Sequence, residues 1–258
     1  MTTAPPAMAT APDFRRMTLS IVSHGQGKLV RALLADLRPV ADAGARLVVT
    51  LNIPEDEAFL AEAGPGVLVL RNSHPLGFGA NHNQAFRHVG KTDRFVILNP
   101  DIRCEGSVFE DLLRATDAPD AGACAPRVRS REGLIEDSAR RHPSLGRIAR
   151  RLLQRARGHR TEPDYRIEGT QPLVVDWTAG MFIMFPCAVY AEVGGFDERY
   201  FMYLEDADIC RRITQRGRPT RVLPWVDVIH DARRATSKSL NHLRWHSASM
   251  ARYLWRFR

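Results

Sequence analysis

Four stretches of this 258-residue chain combine residue types that can hold a charged ligand or move a proton. LNPD, residues 98–101, closes the apolar run RFVIL with a carboxylate on a turn stiffened by Pro100, where oxygen ligands can meet a hard divalent cation. Asn, Pro and Asp are also turn formers, so alone the stretch fits a plain turn. NSHPLGFGANHNQAF, residues 72–86, offers Gly77 and Gly79 for close backbone approach to a ligand. It also sets the amides of Asn81 and Asn83 at a helix start, where exposed N–H groups favour anions, although a capped loop fits as well. GGFDERYFMYLEDADICRRITQRG, residues 194–217, gathers Glu205, Asp206 and Asp208 behind the aromatic run Phe196, Tyr200, Phe201 and Tyr203. First-turn acids and a glycine past the last turn are ordinary helix signals. Rings beside a carboxylate also suit a sugar, or simply a core. VIH, residues 228–230, puts an imidazole at the end of a β-type run; paired with Asp101, His230 would complete a metal site with diphosphate oxygens and water.

Positioning such groups requires a scaffold, and the spacing supplies one. Residues 17–23, 46–50, 67–70 and 94–98 are short β-rich runs, and Leu29, Leu33, Leu34 and Leu37 give a helical stripe that ends at Pro39. Strands alternating with helices indicate a parallel α/β sheet, in which ligands sit beyond the carboxyl ends of the strands. Those ends are residues 23–27, Asn52, residues 72–83 and residues 99–101. After Val128 the texture changes. Leu145, Ile148, Ala149, Leu152 and Ala156 share one face of an arginine-rich amphipathic helix within 140–160. Strands and turns follow over 173–229, and a final helix carries Leu243, Met250, Tyr253 and Leu254 as its apolar positions.

Charge sharpens this division. The chain has 37 basic residues against 29 acidic ones, a formal +8, but residues 140–160 hold eight arginines and no acid, and residues 233–258 hold seven basic residues and no acid. The remainder, 22 basic against 29 acidic, is about −7. A net acidic body with two basic segments does not look like a protein that coats nucleic acid. The four cysteines, Cys104, Cys124, Cys187 and Cys210, have no zinc or disulfide spacing, so reduced thiols in a cytosol are expected. No stretch reaches the ~20 apolar residues of a spanning helix, and residues 1–16 read as a disordered tail.

Taken in order, GFGANHN, LNPD, WTAGMFIMF (177–185), GGFDERYFMYLEDADICRR and His230 followed by a basic tail resemble the family two glycosyltransferases, particularly bacterial rhamnosyltransferase-like members that build surface polysaccharides. The resemblance runs from about Met17 to the C-terminus. It implies a GT-A fold, α/β with a Rossmann-like, mostly parallel sheet flanked by helices. The chain then divides into a nucleotide-sugar-binding half over 17–128, an acceptor-side half over 129–232 and a basic C-terminal helix over 233–258.

The resemblance also implies a nucleotide-diphosphate sugar, with rhamnose as its thymidine diphosphate preferred, together with Mg²⁺ or Mn²⁺ and inversion at the anomeric carbon. Asp206 matches the catalytic base. Asp101 matches the last acid of the Asp-x-Asp metal motif, with Asn99 where its first acid often stands, and His230 matches a position that can ligate metal. Ser23, His24, Asn52, Gly79, Asn81, Asn99 and Asp101 itself fall on the donor side, while Trp177, Gly180 and Glu205 would position sugar or acceptor. Asn52 departs from the family, whose second strand more commonly ends in an Asp that holds the nucleoside. The expected acceptor is a saccharide or a polyprenyl-diphosphate-linked sugar. The expected location is the cytoplasm, with the basic segments docking on an anionic inner membrane face and no nucleic acid bound. The competing readings are a sugar nucleotidyltransferase, for which SHGQGK (23–28) is a faint loop, and a non-catalytic, arginine-driven module that binds nucleic acid or polysaccharide.

Overall fold

Met17, Leu19 and Ile21 alternate with Thr18 and Ser20, and all five are buried, as expected for a strand covered on both faces. Around this strand the computed structural model describes residues 13–62, 64, 66–158, 162–231 and 240–258. The elements run β1 (Met17–Ser23), α1 (Gly27–Asp42), β2 (Arg46–Leu51), β3 (Val67–Arg71), α2 (Phe78–Phe86), β4 (Arg94–Leu98), β5 (Ile102–Arg103), α3 (Ser107–Thr116) and β6 (Cys124–Ser130). They continue with β7 (Ala139–Arg140), α4 (Leu145–Ala156), β8 (Leu173–Val175), β9 (Trp177–Thr178), β10 (Phe182–Pro186), α5 (Cys187–Glu192), α6 (Glu205–Thr214), β11 (Thr220–His230) and α7 (Leu240–Arg256).

The main sheet has the order β3-β2-β1-β4-β10-β6-β11-β5, with β8 also paired to β11. Strands β3, β2, β1 and β4 are parallel, β10 runs antiparallel between β4 and β6, and β11 is parallel to β6. Strand β10 thus carries the second half of the chain into the middle of the sheet built by the first. Helices α1 and α3 bury Leu33, Leu37, Phe109 and Leu112 on one face. On the other, α2, α5, α6 and α7 bury Ala85, Tyr190, Ile209, Ile213 and Tyr253. A separate two-stranded ladder, β7 with β9, pairs Ala139 with Thr178 and Arg140 with Trp177.

Three expectations change. Helix α1 does not stop at Pro39 but runs one turn further, because Val40 is buried against the core and the amides of Ala43 and Ala45 close onto the carbonyls of Pro39 and Val40. The ordered chain begins before Met17: Asp13 caps a 3-10 turn, Phe14–Arg16, and Arg16 bridges Asp93 and Asp117. The rest of the proposed tail, residues 1–12, lies outside the described residues, as do 233–239 of the C-terminal basic segment. Finally, Leu243 on α7 is exposed, whereas Tyr253 is fully buried.

Candidate active site

Helix α6 begins at the inner end of its own strain. Tyr203 and Leu204 adopt consecutive left-handed conformations, φ 73° and 66°, which non-glycine side chains rarely do. Such strain persists only where surrounding structure enforces it. It delivers Glu205 and Asp206 as the first two residues of α6. Glu205 is buried, and its Oε2 has no partner among the described residues. Asp206 is partly exposed; its Oδ2 accepts from the Gly180 amide at 3.0 Å and its Oδ1 from the Ala207 amide at 2.8 Å. Burial pushes Glu205 well above the ordinary carboxylate range, and the Asp206 charge pushes it further. Burial also raises Asp206, opposed by the two amides and by Arg140. Two neighbouring carboxyls that cannot both ionise easily therefore divide into a proton holder, Glu205, and a carboxylate held by amides, Asp206.

The LNPD turn lies beside them. The Asn99 amide donates to the Met181 carbonyl at 2.8 Å, and Gly180, next in the chain, holds Asp206. Two hydrogen bonds thus tie the end of β4 to the head of α6. The Asp101 amide belongs to the same turn, and the Asp231 amide donates to the Asp101 carbonyl at 2.7 Å, which brings the end of β11 alongside. As a result His230 Nε2 stands 3.2 Å from Asp101 Oδ2, while its Nδ1–H donates to Glu136 Oε2 at 2.8 Å. The hydrogen bond and charge of Asp101, joined by Glu136 and against the effect of burial, raise the imidazole to about 9.

This pair fits a divalent cation. Among the described residues Asp101 Oδ1 is buried without a partner, its Oδ2 and His230 Nε2 are close enough to serve one ion, and carboxylate oxygen with imidazole nitrogen suits Mn²⁺ better than the oxygen-seeking Mg²⁺. Glu136, 94 residues away in sequence, holds the His230 imidazole from its far side, as a carboxylate does for a histidine that would ligate metal. No pattern in the sequence pointed to it.

Several expected donor contacts have another job. Asn52 Oδ1 accepts from the Leu76 amide and from Asn72, and its Nδ2 donates to the Leu76 carbonyl. Asn81, fully buried, donates to the carbonyls of Leu76 and Gly77 and accepts from Asn72. The three asparagines lace the 72–77 loop to the ends of β2 and β3, so the amides of Asn52 and Asn81 are taken up in holding that loop. Ser23 is buried and its hydroxyl accepts from the Gln26 amide, whereas His24 is exposed beside Asn52. Gly77 and Gly79 serve packing: a Cβ would meet the Phe201 carbonyl at 2.7 Å from Gly77 and Phe196 Cβ at 2.5 Å from Gly79. Trp177 is buried with its indole N–H on the Arg141 carbonyl, so it supports the site from the core and is not a sugar platform. Of the aromatic run, Phe196 and Tyr200 are core residues, and only Phe201 and Tyr203 are partly open.

The arginine segment also resolves into parts. Arg140 lies over Trp177 and acts on Asp206, Arg141 lies over Tyr165, and Arg147 and Arg151 pair with Asp164. Arg160 lies outside the described residues.

Comparison with known proteins bears on this arrangement. The family model described as Glycosyl transferase family 2 matches residues 53–182, half of the chain. An N-acetylglucosaminyl-diphospho-decaprenol L-rhamnosyltransferase of Mycobacterium tuberculosis is 30% identical over 249 residues, covering 90% of this chain and 80% of the relative. Rhamnosyltransferase WbbL of Escherichia coli is 28% identical, with 92% of each chain covered. Among solved structures, GalNAc-T7 with UDP, GalNAc and Mn²⁺ gives a TM-score of 0.66 at 15% identity, covering 92% of this chain and 47% of that one. This chain therefore spans about half of that protein, and the likeness is one of fold.

Proposed function

Because the chain belongs to glycosyl transferase family 2 and has the GT-A fold, we propose that it transfers a sugar with inversion from a nucleotide diphosphate to a lipid-linked saccharide, with Asp206 as general base. The observation that carries the reading is the Asp206 carboxylate, held by the Gly180 amide beside the LNPD turn at the carboxyl edge of the sheet. An acceptor hydroxyl entering there would give its proton to Asp206 as its oxygen bonds to the anomeric carbon. The carbon–oxygen bond to the diphosphate breaks on the opposite side, and its electron pair leaves with the diphosphate. Each Asp206 oxygen has a lone pair beyond the one its backbone amide occupies, so the carboxylate stays oriented and still basic.

Glu205 keeps its proton and donates it as a hydrogen bond to a substrate hydroxyl. Asp101 and His230 would hold a divalent cation, which supplies charge neutralisation on the leaving diphosphate. Arg140 adds a fixed positive charge near the same place. The names of the two rhamnosyltransferase relatives support rhamnose as the sugar, and that of the mycobacterial one supports a polyprenyl-diphosphate-linked N-acetylglucosamine as the acceptor. An acceptor of that kind lies at a membrane, and no described helix is long and apolar enough to cross one, so the chain would work at the inner membrane surface. The nucleotidyltransferase and non-catalytic readings leave the paired carboxylates of α6 without a role.

The donor is tested by thermal unfolding with thymidine, uridine and guanosine diphosphate sugars, each with and without Mg²⁺ or Mn²⁺. A ligand that binds only the folded chain raises its midpoint. Thymidine diphosphate-rhamnose with metal is expected to give the largest rise, and no response to any nucleotide sugar would overturn the assignment.

A further inference from the structure

Helix α4 turns its polar stripe inward. Arg147, Arg151 and Gln154 are half-buried together with Ile148, and Arg147 and Arg151 reach Asp164 at 3.7 and 2.7 Å. The opposite stripe is apolar and faces solvent: Leu145 is 72% and Leu153 50% exposed, with Ala149 and Ala156 exposed between and beyond them. At 100° per residue Arg150 and Arg157 fall on the flank of that stripe, and both are exposed. Across a cavity of about 410 Å³, Leu145 faces the end of α7, where Leu254 and Arg258 accompany Trp255, itself 67% exposed. An isolated exposed leucine needs no explanation, but a helix whose outward apolar stripe runs on to an exposed tryptophan is a patch.

We propose that the outer face of α4 and the end of α7 dock the protein on an anionic lipid bilayer, with Leu145, Leu153 and Trp255 in the boundary between headgroups and acyl chains and Arg150, Arg157 and Arg258 on the lipid phosphates. The proposal deepens, and rests on, the lipid-linked acceptor reading. Apolar side chains flanked by arginines are the pattern of helices that lie in the membrane interface, where arginines reach outward and tryptophan is enriched. Charge selects this occupant over a second copy of the chain: residues 140–160 contain no acid, so a two-fold contact would set arginine against arginine. The Asp164 pairing leaves docking to fewer arginines than the eight counted in the sequence, which makes the apolar side chains necessary.

Flotation of the full chain with vesicles of phosphatidylcholine alone, or of phosphatidylcholine with phosphatidylglycerol, tests this. The chain should float with the anionic vesicles and stay at the bottom with neutral ones. The double substitutions Leu145→Glu with Leu153→Glu, and Arg150→Glu with Arg157→Glu, should each lower the bound fraction about tenfold. The thermal shift given by thymidine diphosphate with Mg²⁺ should be unchanged in both variants, which shows that they fold. Unaltered flotation of the leucine variant, or no flotation of the parent with anionic vesicles, overturns the proposal. A parent dimer that the leucine variant converts to monomer also overturns it, by making the face a contact between copies. Flotation requires no transfer, so failure here leaves the glycosyltransferase reading standing, and a chain that floats but binds no nucleotide fails only that reading.

Discussion

The backbone amide of Gly180 donates to Asp206 Oδ2 at 3.0 Å, joining the turn before β10 to the first turn of α6. A Cβ at Gly180 would stand 3.1 Å from the Phe78 ring, which would have to give by a few tenths of an ångström, and in ordinary contact, 3.7 Å, with Asp206 Cβ. The site thus depends on backbone contacts between segments that are remote in sequence, and each contact predicts a measurable consequence.

Glu205 makes stability fall with pH. Its pKa is raised in the folded state by burial and by Asp206, so the folded chain binds a proton that the unfolded chain releases near pH 4.5. The contribution is intact below that value and is lost as pH climbs through the elevated folded value. Glu205→Gln removes the penalty while keeping the shape. In urea denaturation the variant should match the parent at pH 4 and exceed it at pH 8, and equal midpoints at both would show that Glu205 is ionised in the fold.

The His230 environment gives a second test, on metal. Glu136→Leu should weaken Mn²⁺ binding in the presence of thymidine diphosphate by about 10- to 100-fold, measured by calorimetry, whereas Glu136→Gln keeps an acceptor for Nδ1–H and should lose far less. Without metal the imidazolium between Asp101 and Glu136 adds stability that is complete below pH 6.5 and fades as pH rises through about 9. Mn²⁺ must displace that proton, so apparent affinity should increase over the same interval. Equal binding by both Glu136 variants would deny the orienting role.

The platform beneath the carboxylates is itself charged. Asp208, fully buried, accepts from Arg212 at 2.6 Å, and Arg212 also donates to the carbonyls of Val193 and Gly195. Arg212→Met leaves a buried carboxylate short of its main partner and should cost about 3 kcal/mol in denaturant titration. A loss under ~1 kcal/mol would mean that Arg256, 3.3 Å from Asp208, compensates.

Much of this was legible in the residues. The four parallel strands are apolar runs of strand length, the carboxylate at 101 follows a strand end of the kind that an α/β sheet turns toward ligands, and the one at 206 stands in the first turn of a helix. What periodicity does not contain is direction. It shows that α4 is amphipathic, but in the fold Ile148 lies on the half-buried side with the arginines that pair with Asp164, and Leu145, Ala149 and Ala156 face outward. In the same way, Asn52 and Asn81 have the chemistry of donor ligands, yet the 72–77 loop takes up their amides. Gly77 and Gly79 look like room for a phosphate and are room for Phe201 and Phe196. Glu136 meets His230 because its amide folds back onto the Val128 carbonyl of β6, which in turn pairs with β11, and no local pattern reports that.

The central claim is that Asp206 is the base. Asp206→Asn keeps the acceptor atom for the Gly180 amide and removes the basicity. Rates of sugar transfer from the donor found by thermal shift, to a polyprenyl-diphosphate-linked N-acetylglucosamine, should fall by about 10²- to 10⁴-fold with donor affinity unchanged. Transfer at the parent rate by this variant would contradict the account.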